Sequence, residues 1–187
     1  DAWSERFLSL NVGRGTVCGV LGEYSPQICA LLFALLRAQA ILVPLSYAAE
    51  PEIPGFLKMA GVEKLFRFDA DDTWALSTIA DASRHELMTS FAQRETPGLV
   101  VFTSGSTGKP KGILHDCELV MRKFVDAREG WRTCLFLMID HFGGFNTLLS
   151  TFAYHGVAIC LPNRTADAVC QTIEKSGATL LPTTPTF

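Results

Sequence analysis

The sequence predicts an α/β fold, in which alternating βαβ units build a mostly parallel sheet with helices on both faces. Two observations carry this. Short apolar runs rich in β-branched and aromatic residues alternate with longer runs of helical periodicity from one end of the chain to the other. Runs such as Ile41 to Leu45 and Leu99 to Phe102 are continuously apolar, the pattern of strands buried on both sides rather than on one. With 187 residues, 48% of them hydrophobic and 19% charged, the chain has the material for a large core.

In chain order, the residues to about Gly15 read as the end of a helix and a Gly-rich turn. Gly13-Arg14-Gly15 is no dinucleotide loop, because the third glycine is missing and the run precedes a strand instead of following one. Thr16 to Leu21 is a strand. Ser25-Pro26 starts a helix, with Ser as N-cap and Pro at the first helical position, that runs to Ala38. Ile41 to Leu45 is the next strand, Pro51 to Ala60 a short helix closed by Gly61, and Glu63 to Phe68 a strand. Asp71-Asp72-Thr73 reads as the cap of a helix running toward Gln93 and ended by Thr96-Pro97.

Further on, Asp116 caps a helix carrying Leu119, Val120, Phe124 and Ala127, which Gly130 stops. Thr133 to Ile139 is a strand, Phe145 to Tyr154 a helix and Val157 to Leu161 a strand. Thr165 to Lys175 is a helix ended by Gly177, and Ala178 to Pro182 a last strand.

The stretch that speaks to chemistry is Leu99-Val100-Val101-Phe102-Thr103-Ser104-Gly105-Ser106-Thr107-Gly108-Lys109-Pro110-Lys111-Gly112. A buried strand empties into four hydroxyls, three glycines and two lysines, which suits a polyphosphate: glycine lets backbone N–H groups approach, hydroxyls rotate to donate, and lysines supply charge. The spacing excludes a Walker loop, because Gly108-Lys109 is followed by Pro110 and Thr103 stands where the first glycine belongs. A second cluster, Asp140-His141-Phe142-Gly143-Gly144, follows the strand predicted to end at Ile139. Ligands in parallel sheets lie beyond the carboxyl ends of strands, so both clusters are expected at one such edge.

A net charge of −3 without any Lys/Arg block argues against a nucleic-acid or anionic-membrane surface. No apolar run is long enough to span a bilayer, and no signal-peptide pattern opens the chain. The six cysteines show no CxxC pairing, which points to buried reduced thiols, a reducing compartment such as the cytoplasm, and no metal site. The sequence leaves the oligomeric state open.

Thr103 to Gly112 resembles, position by position, the phosphate-binding loop of the acyl-adenylate-forming (AMP-binding) superfamily, which includes acyl-CoA synthetases and peptide-synthetase adenylation domains. Val43-Pro44-Leu45 looks like the end of an early family strand, although Gln39 stands where a glycine is usual. His141 with Gly144 is similar to the family's His-x-x-Gly at the acyl pocket. The final Ala178 to Phe187 looks like the strand that runs into a Pro-Thr-x-Phe turn.

The resemblance implies that residues 1–187 are the N-terminal portion of the family's large domain, with the adenine and ribose motifs and a lysine-bearing C-terminal domain absent. It implies ATP-dependent activation of a small-molecule carboxylic acid, with Mg²⁺, and thioester formation with coenzyme A. Thr103, Ser104, Gly105, Ser106, Thr107, Gly108 and Lys111 would hold phosphate, Lys111 and His141 would act in catalysis, and Asp140, His141 and Gly144 would line the acid pocket. No metal ligand is assigned. Two other readings stand beside it: an amino-acid adenylation domain loading a carrier protein, with Asp140 toward the ammonium, and a non-catalytic nucleotide-binding module. On the leading reading the 187 residues alone are expected to be inactive in adenylation.

Overall fold

The computed structural model describes residues 2–80, 82–103, 109–126 and 128–187. The chain divides into two compact units, Asp1–Val120 and Met121–Phe187.

In the first unit, α1 (Ala2–Leu10), β1 (Val17–Leu21), α2 (Pro26–Arg37), β2 (Ile41–Leu45), α3 (Ile53–Ala60), β3 (Lys64–Phe68), β4 (Trp74–Thr78), α4 (Glu86–Ala92), β5 (Gly98–Thr103), β6 (Lys111–Asp116) and α5 (Cys117–Met121) follow one another. The sheet runs β4-β3-β1-β2-β5-β6. Its four inner strands are parallel, and both outer strands are antiparallel to their neighbours. Every residue of β1 and β2 is buried, as the unbroken apolar runs require.

Alternate residues of the inner strands face opposite ways. Val17, Leu21, Ile41, Val43 and Leu45 pack with Phe56 and Ala60 of α3 and Met88 and Phe91 of α4. Phe66 on β3 meets Trp3 of α1 edge-on, with ring centroids 6.0 Å apart. Ser25 caps α2 as predicted, its side chain accepting from the Ile28 N–H at 3.0 Å. Gly61 closes α3 at φ +63°. Pro44, which has no N–H to give a ladder, is tolerated in β2 because the pairing with β5 ends at Leu42↔Leu99.

Residues 69–97 correct the sequence reading. Asp71 does accept hydrogen bonds from the Thr73 N–H (3.1 Å) and hydroxyl (2.7 Å), but it caps a turn instead of a helix. The Asp69 N–H donates to the Thr73 carbonyl, Asp72 takes φ +68°, and the chain returns as β4, with Phe68↔Trp74 the first rung. The helix begins only at Glu86, where the His85 ring accepts from the Leu87 N–H. A second correction is β6. Lys111 and Gly112, predicted within the loop, begin an antiparallel edge strand whose pairing with β5 runs from Thr103↔Lys111 to Gly98↔Asp116. Asp116 caps the next helix as expected, accepting from the Glu118 and Leu119 N–H groups, but that helix is shorter than predicted: α5 ends at Met121 and only a single 3-10 turn, Arg122–Phe124, follows it.

The second unit contains β7 (Arg132–Cys134), α6 (Phe142–Ala153), β8 (Val157–Ile159) and α7 (Ala166–Ser176). β7 and β8 pair in parallel, and the predicted last strand is reduced to a single bridge, Thr133↔Leu180. The predicted strand Thr133 to Ile139 is likewise shorter: pairing ends at Cys134, and the chain reaches Asp140 through irregular backbone. Phe145 and Leu148 of α6 are fully buried, as are Cys134 and Ile139. Thr165 caps α7, and Gly177 ends it at φ +62°.

Candidate active site

In the first unit the site is built on the β5–β6 hairpin. Burial declines along β5, from Val100 and Val101 in the core to a half-buried Phe102 and an exposed Thr103. Thr103 stands opposite Lys111, so their side chains share one face of the ladder. Ser104, Gly105, Ser106, Thr107 and Gly108 lie outside the described residues. The flanking Lys109 and Lys111 are exposed, and neither forms an ion pair among the described residues.

Behind this rung the hairpin is braced. The Phe102 ring stacks on Phe56 of α3 with centroids 4.0 Å apart. Opposite Phe102, a Cβ at Gly112 would stand 3.3 Å from the Phe102 ring and 3.4 Å from Val100, so glycine lets the ring lie across its partner strand. Two lysine ammonium groups, without an ion pair among the described residues, thus follow a segment whose ends meet at one rung, an arrangement able to receive an anion. Burial holds the ring of His115, paired with Leu99, below the usual histidine value, which disfavours a positive charge there.

In the second unit, Asp140, His141 and Gly144 come together at the start of α6. His141 is the N-cap residue, but its side chain makes no capping bond; instead its Nδ1 lies 2.6 Å from the Asp140 carboxylate. The Asp140 side chain is 11% exposed and the His141 ring 65%. The His141 N–H donates to the Met138 carbonyl, and the Phe145 N–H to the His141 carbonyl. Gly144 is required by contact: a Cβ there would overlap the Met138 carbonyl and stand 2.9 Å from that of Leu137.

The sequence reading missed a cavity of about 400 Å³ in this unit, walled by Phe124, Trp131 and Tyr154 and floored by Thr133 and Asn146. Asn146 and Ser150 of α6 and its C-cap Tyr154 recur at every fourth residue, and that spacing of polar groups along an apolar helix was the available signal. Lys123 and Arg128 at its rim lie over aromatic rings, at 5.1 Å from Phe124 and 5.6 Å from Tyr154.

Among the described residues, no group of three or more His, Cys, Asp or Glu side chains is placed to hold a metal ion. No described helix is long and apolar enough to cross a membrane.

The chain is 24% identical over 193 residues to 2-succinylbenzoate–CoA ligase of Bacillus cereus, covering 95% of this chain and 39% of that protein. It is 24% identical over 185 residues to the nonribosomal peptide synthetase ataP of Aspergillus terreus, covering 87% of this chain and 12% of that one. The fold matches the N-terminal domain of FACL13 from Mycobacterium tuberculosis, at TM-score 0.74 and 18% identity over 98% of this chain and 53% of that one. It also matches the N-terminal subdomain of NpsA from Klebsiella oxytoca, at TM-score 0.75 and 20% identity over 96% and 52%. This chain thus spans about half of those solved chains and less of the curated relatives. The sequence model of the AMP-binding enzyme family matches residues 1–187, and the chain belongs to that family, the acyl-adenylate-forming superfamily.

Proposed function

We propose that the protein uses ATP to activate a small carboxylic acid as its acyl-adenylate and then passes the acyl group to a thiol, that of coenzyme A. The observation that carries this reading is the Thr103↔Lys111 rung, its lysine without an ion pair among the described residues, at the end of a strand whose sequence continues into the hydroxyl- and glycine-rich segment. The acid's carboxylate oxygen attacks the α-phosphorus, the bond to the β-phosphate oxygen breaks, and pyrophosphate leaves. The attacking group is already an anion, so this step needs no general base.

The protein's task is to stabilise charge on the departing pyrophosphate. Hydroxyls of Thr103, Ser104, Ser106 and Thr107, backbone N–H groups near Gly105 and Gly108, and the Lys111 ammonium are assigned to it. Mg²⁺ bound with the nucleotide neutralises part of the remaining charge. Six free cysteines, four of them buried, support a reducing compartment, the cytoplasm.

Loading of an amino acid onto a carrier protein is the second reading, favoured by the resemblance to peptide synthetases. The engagement of Asp140 with His141 speaks against it, since a largely buried carboxylate already bonded to a ring is poorly placed for a substrate ammonium.

The test is acid-dependent ATP–pyrophosphate exchange by the longest natural gene product containing this chain, over a panel of aryl, alkyl and amino acids. Exchange with a non-amino acid followed by coenzyme A thioester formation is the expected result. Exchange with amino acids alone would replace this reading with carrier loading, and absence of exchange with every acid would remove it.

A further inference from the structure

We infer that Asp140 is a positioning residue that fixes His141 in its Nδ1–H form, so that the ring offers Nε2 as a proton acceptor in the thiol step. The inference rests on the proposed activity for its chemistry, but its geometry is independent of it. His141 has one side-chain partner among the described residues, the Asp140 carboxylate, at 2.6 Å from Nδ1. A carboxylate only accepts, so the shared proton belongs to Nδ1, and the other nitrogen of the neutral ring carries a lone pair. In water an unrestrained neutral imidazole favours the opposite form, which makes the partner decisive.

The burial contrast gives the direction of action. Asp140 is withdrawn, with 11% of its side chain exposed, whereas the ring is 65% exposed. The carboxylate therefore acts through the ring instead of meeting a ligand itself, a different role from the pocket wall expected from the sequence. The backbone is held too: the His141 N–H is bonded to the Met138 carbonyl, and Gly144 lets the first turn of α6 close onto that same carbonyl. The ring's attachment is thus set at both its backbone and its inner nitrogen.

An acceptor is of no use to adenylation, which begins from a carboxylate, but the second step releases a proton. As the thiol sulfur bonds to the acyl carbon, its proton passes to Nε2. The carbon–oxygen bond to AMP then breaks with its electron pair leaving on AMP, and the imidazolium later returns the proton to water.

Two measurements test this. Long-range ¹H–¹⁵N correlation of the 187-residue chain at a pH where His141 is neutral should show a protonated Nδ1 and an unprotonated Nε2, and Asp140→Ala should reverse the pattern. A dominant Nε2–H form in the unsubstituted chain would overturn the inference, and this holds whether or not any variant folds. In the longest natural gene product, the near-isosteric Asp140→Asn should slow thioester formation at least about tenfold more than pyrophosphate exchange. That deficit should narrow as pH rises toward the thiol's own value of ~8.5. Equal losses in the two steps, or a deficit indifferent to pH, would reduce Asp140 to a structural role. If the unsubstituted protein supports no exchange, the proposed function falls, and the tautomer measurement alone decides the inference.

Discussion

Thr103 and Lys111 are directly opposed on the β5–β6 ladder, so the segment between them leaves and re-enters the sheet at one rung. A hydroxyl and an ammonium are thereby presented side by side, at a strand end braced by the Phe56–Phe102 stack.

This relationship makes Lys111→Ala the most direct test of the phosphate assignment. The Lys111 ammonium is exposed and has no carboxylate partner among the described residues, so its loss should change folding stability by less than about 0.5 kcal/mol. The exchange rate should fall by about a hundredfold, with the KM for the acid within about threefold. Steady-state exchange beside urea unfolding checks both, and wild-type exchange by the variant would remove Lys111 from the site.

Gly144→Ala should destabilise the protein by about 2 kcal/mol or more, because the added methyl overlaps the Met138 carbonyl and neither backbone can yield without displacing α6. The neighbouring Gly143→Ala should be neutral or stabilise by up to about 1 kcal/mol, since a Cβ there meets only the Leu137 side chain at 3.5 Å and alanine favours the helix over glycine. Urea midpoints of the two variants give the comparison, and equal midpoints would contradict it.

At Gln39, where the family usually carries glycine, the chain adopts φ +56°, and the side chain recovers a hydrogen bond to the Glu95 carbonyl at 2.8 Å. Gln39→Gly should be tolerated within about 0.5 kcal/mol, because relief of left-handed strain offsets the lost bond. Gln39→Val, β-branched in the same conformation, should cost about 1 to 2 kcal/mol. A stability ranking of Val above Gly would contradict this account.

Stability should decline toward both ends of the pH scale. Burial pushes the Cys18 and Cys117 thiols up to about 12, so between the ordinary thiol value and there the folded chain holds protons that the unfolded chain releases. Stability is therefore full below that window and lost as pH rises through it. His115 is shifted the other way by burial, so the unfolded chain takes up its proton first, and stability falls as pH drops below the ordinary histidine value. Denaturant midpoints across pH should fall less steeply on the alkaline side in Cys18→Ala and on the acid side in His115→Gln. Unchanged slopes in both variants would contradict these assignments.

Read from sequence alone, the elements whose signals are local came out right. Ser25-Pro26 opens α2, Gly61 and Gly177 close α3 and α7, and the doubly buried runs of β1, β2 and β5 declare a parallel sheet. Each is dictated by the conformational limits of a residue or by a run of apolar side chains with no polar face to turn to water. The family likewise followed from a hydroxyl–glycine–lysine spacing that a linear string can carry.

What tertiary structure alone decided was pairing. Asp71 satisfies backbone donors equally well at a helix cap or a turn, and only the chance to pair with β3 makes the following residues a strand. Lys111-Gly112 carries no strand signal of its own and becomes one because β5 lies beside it. The role inferred for Asp140 depends on which of two adjacent side chains is withdrawn and which is exposed. Hydrogen bonds between strands and burial are relations between distant residues, and no local preference encodes them.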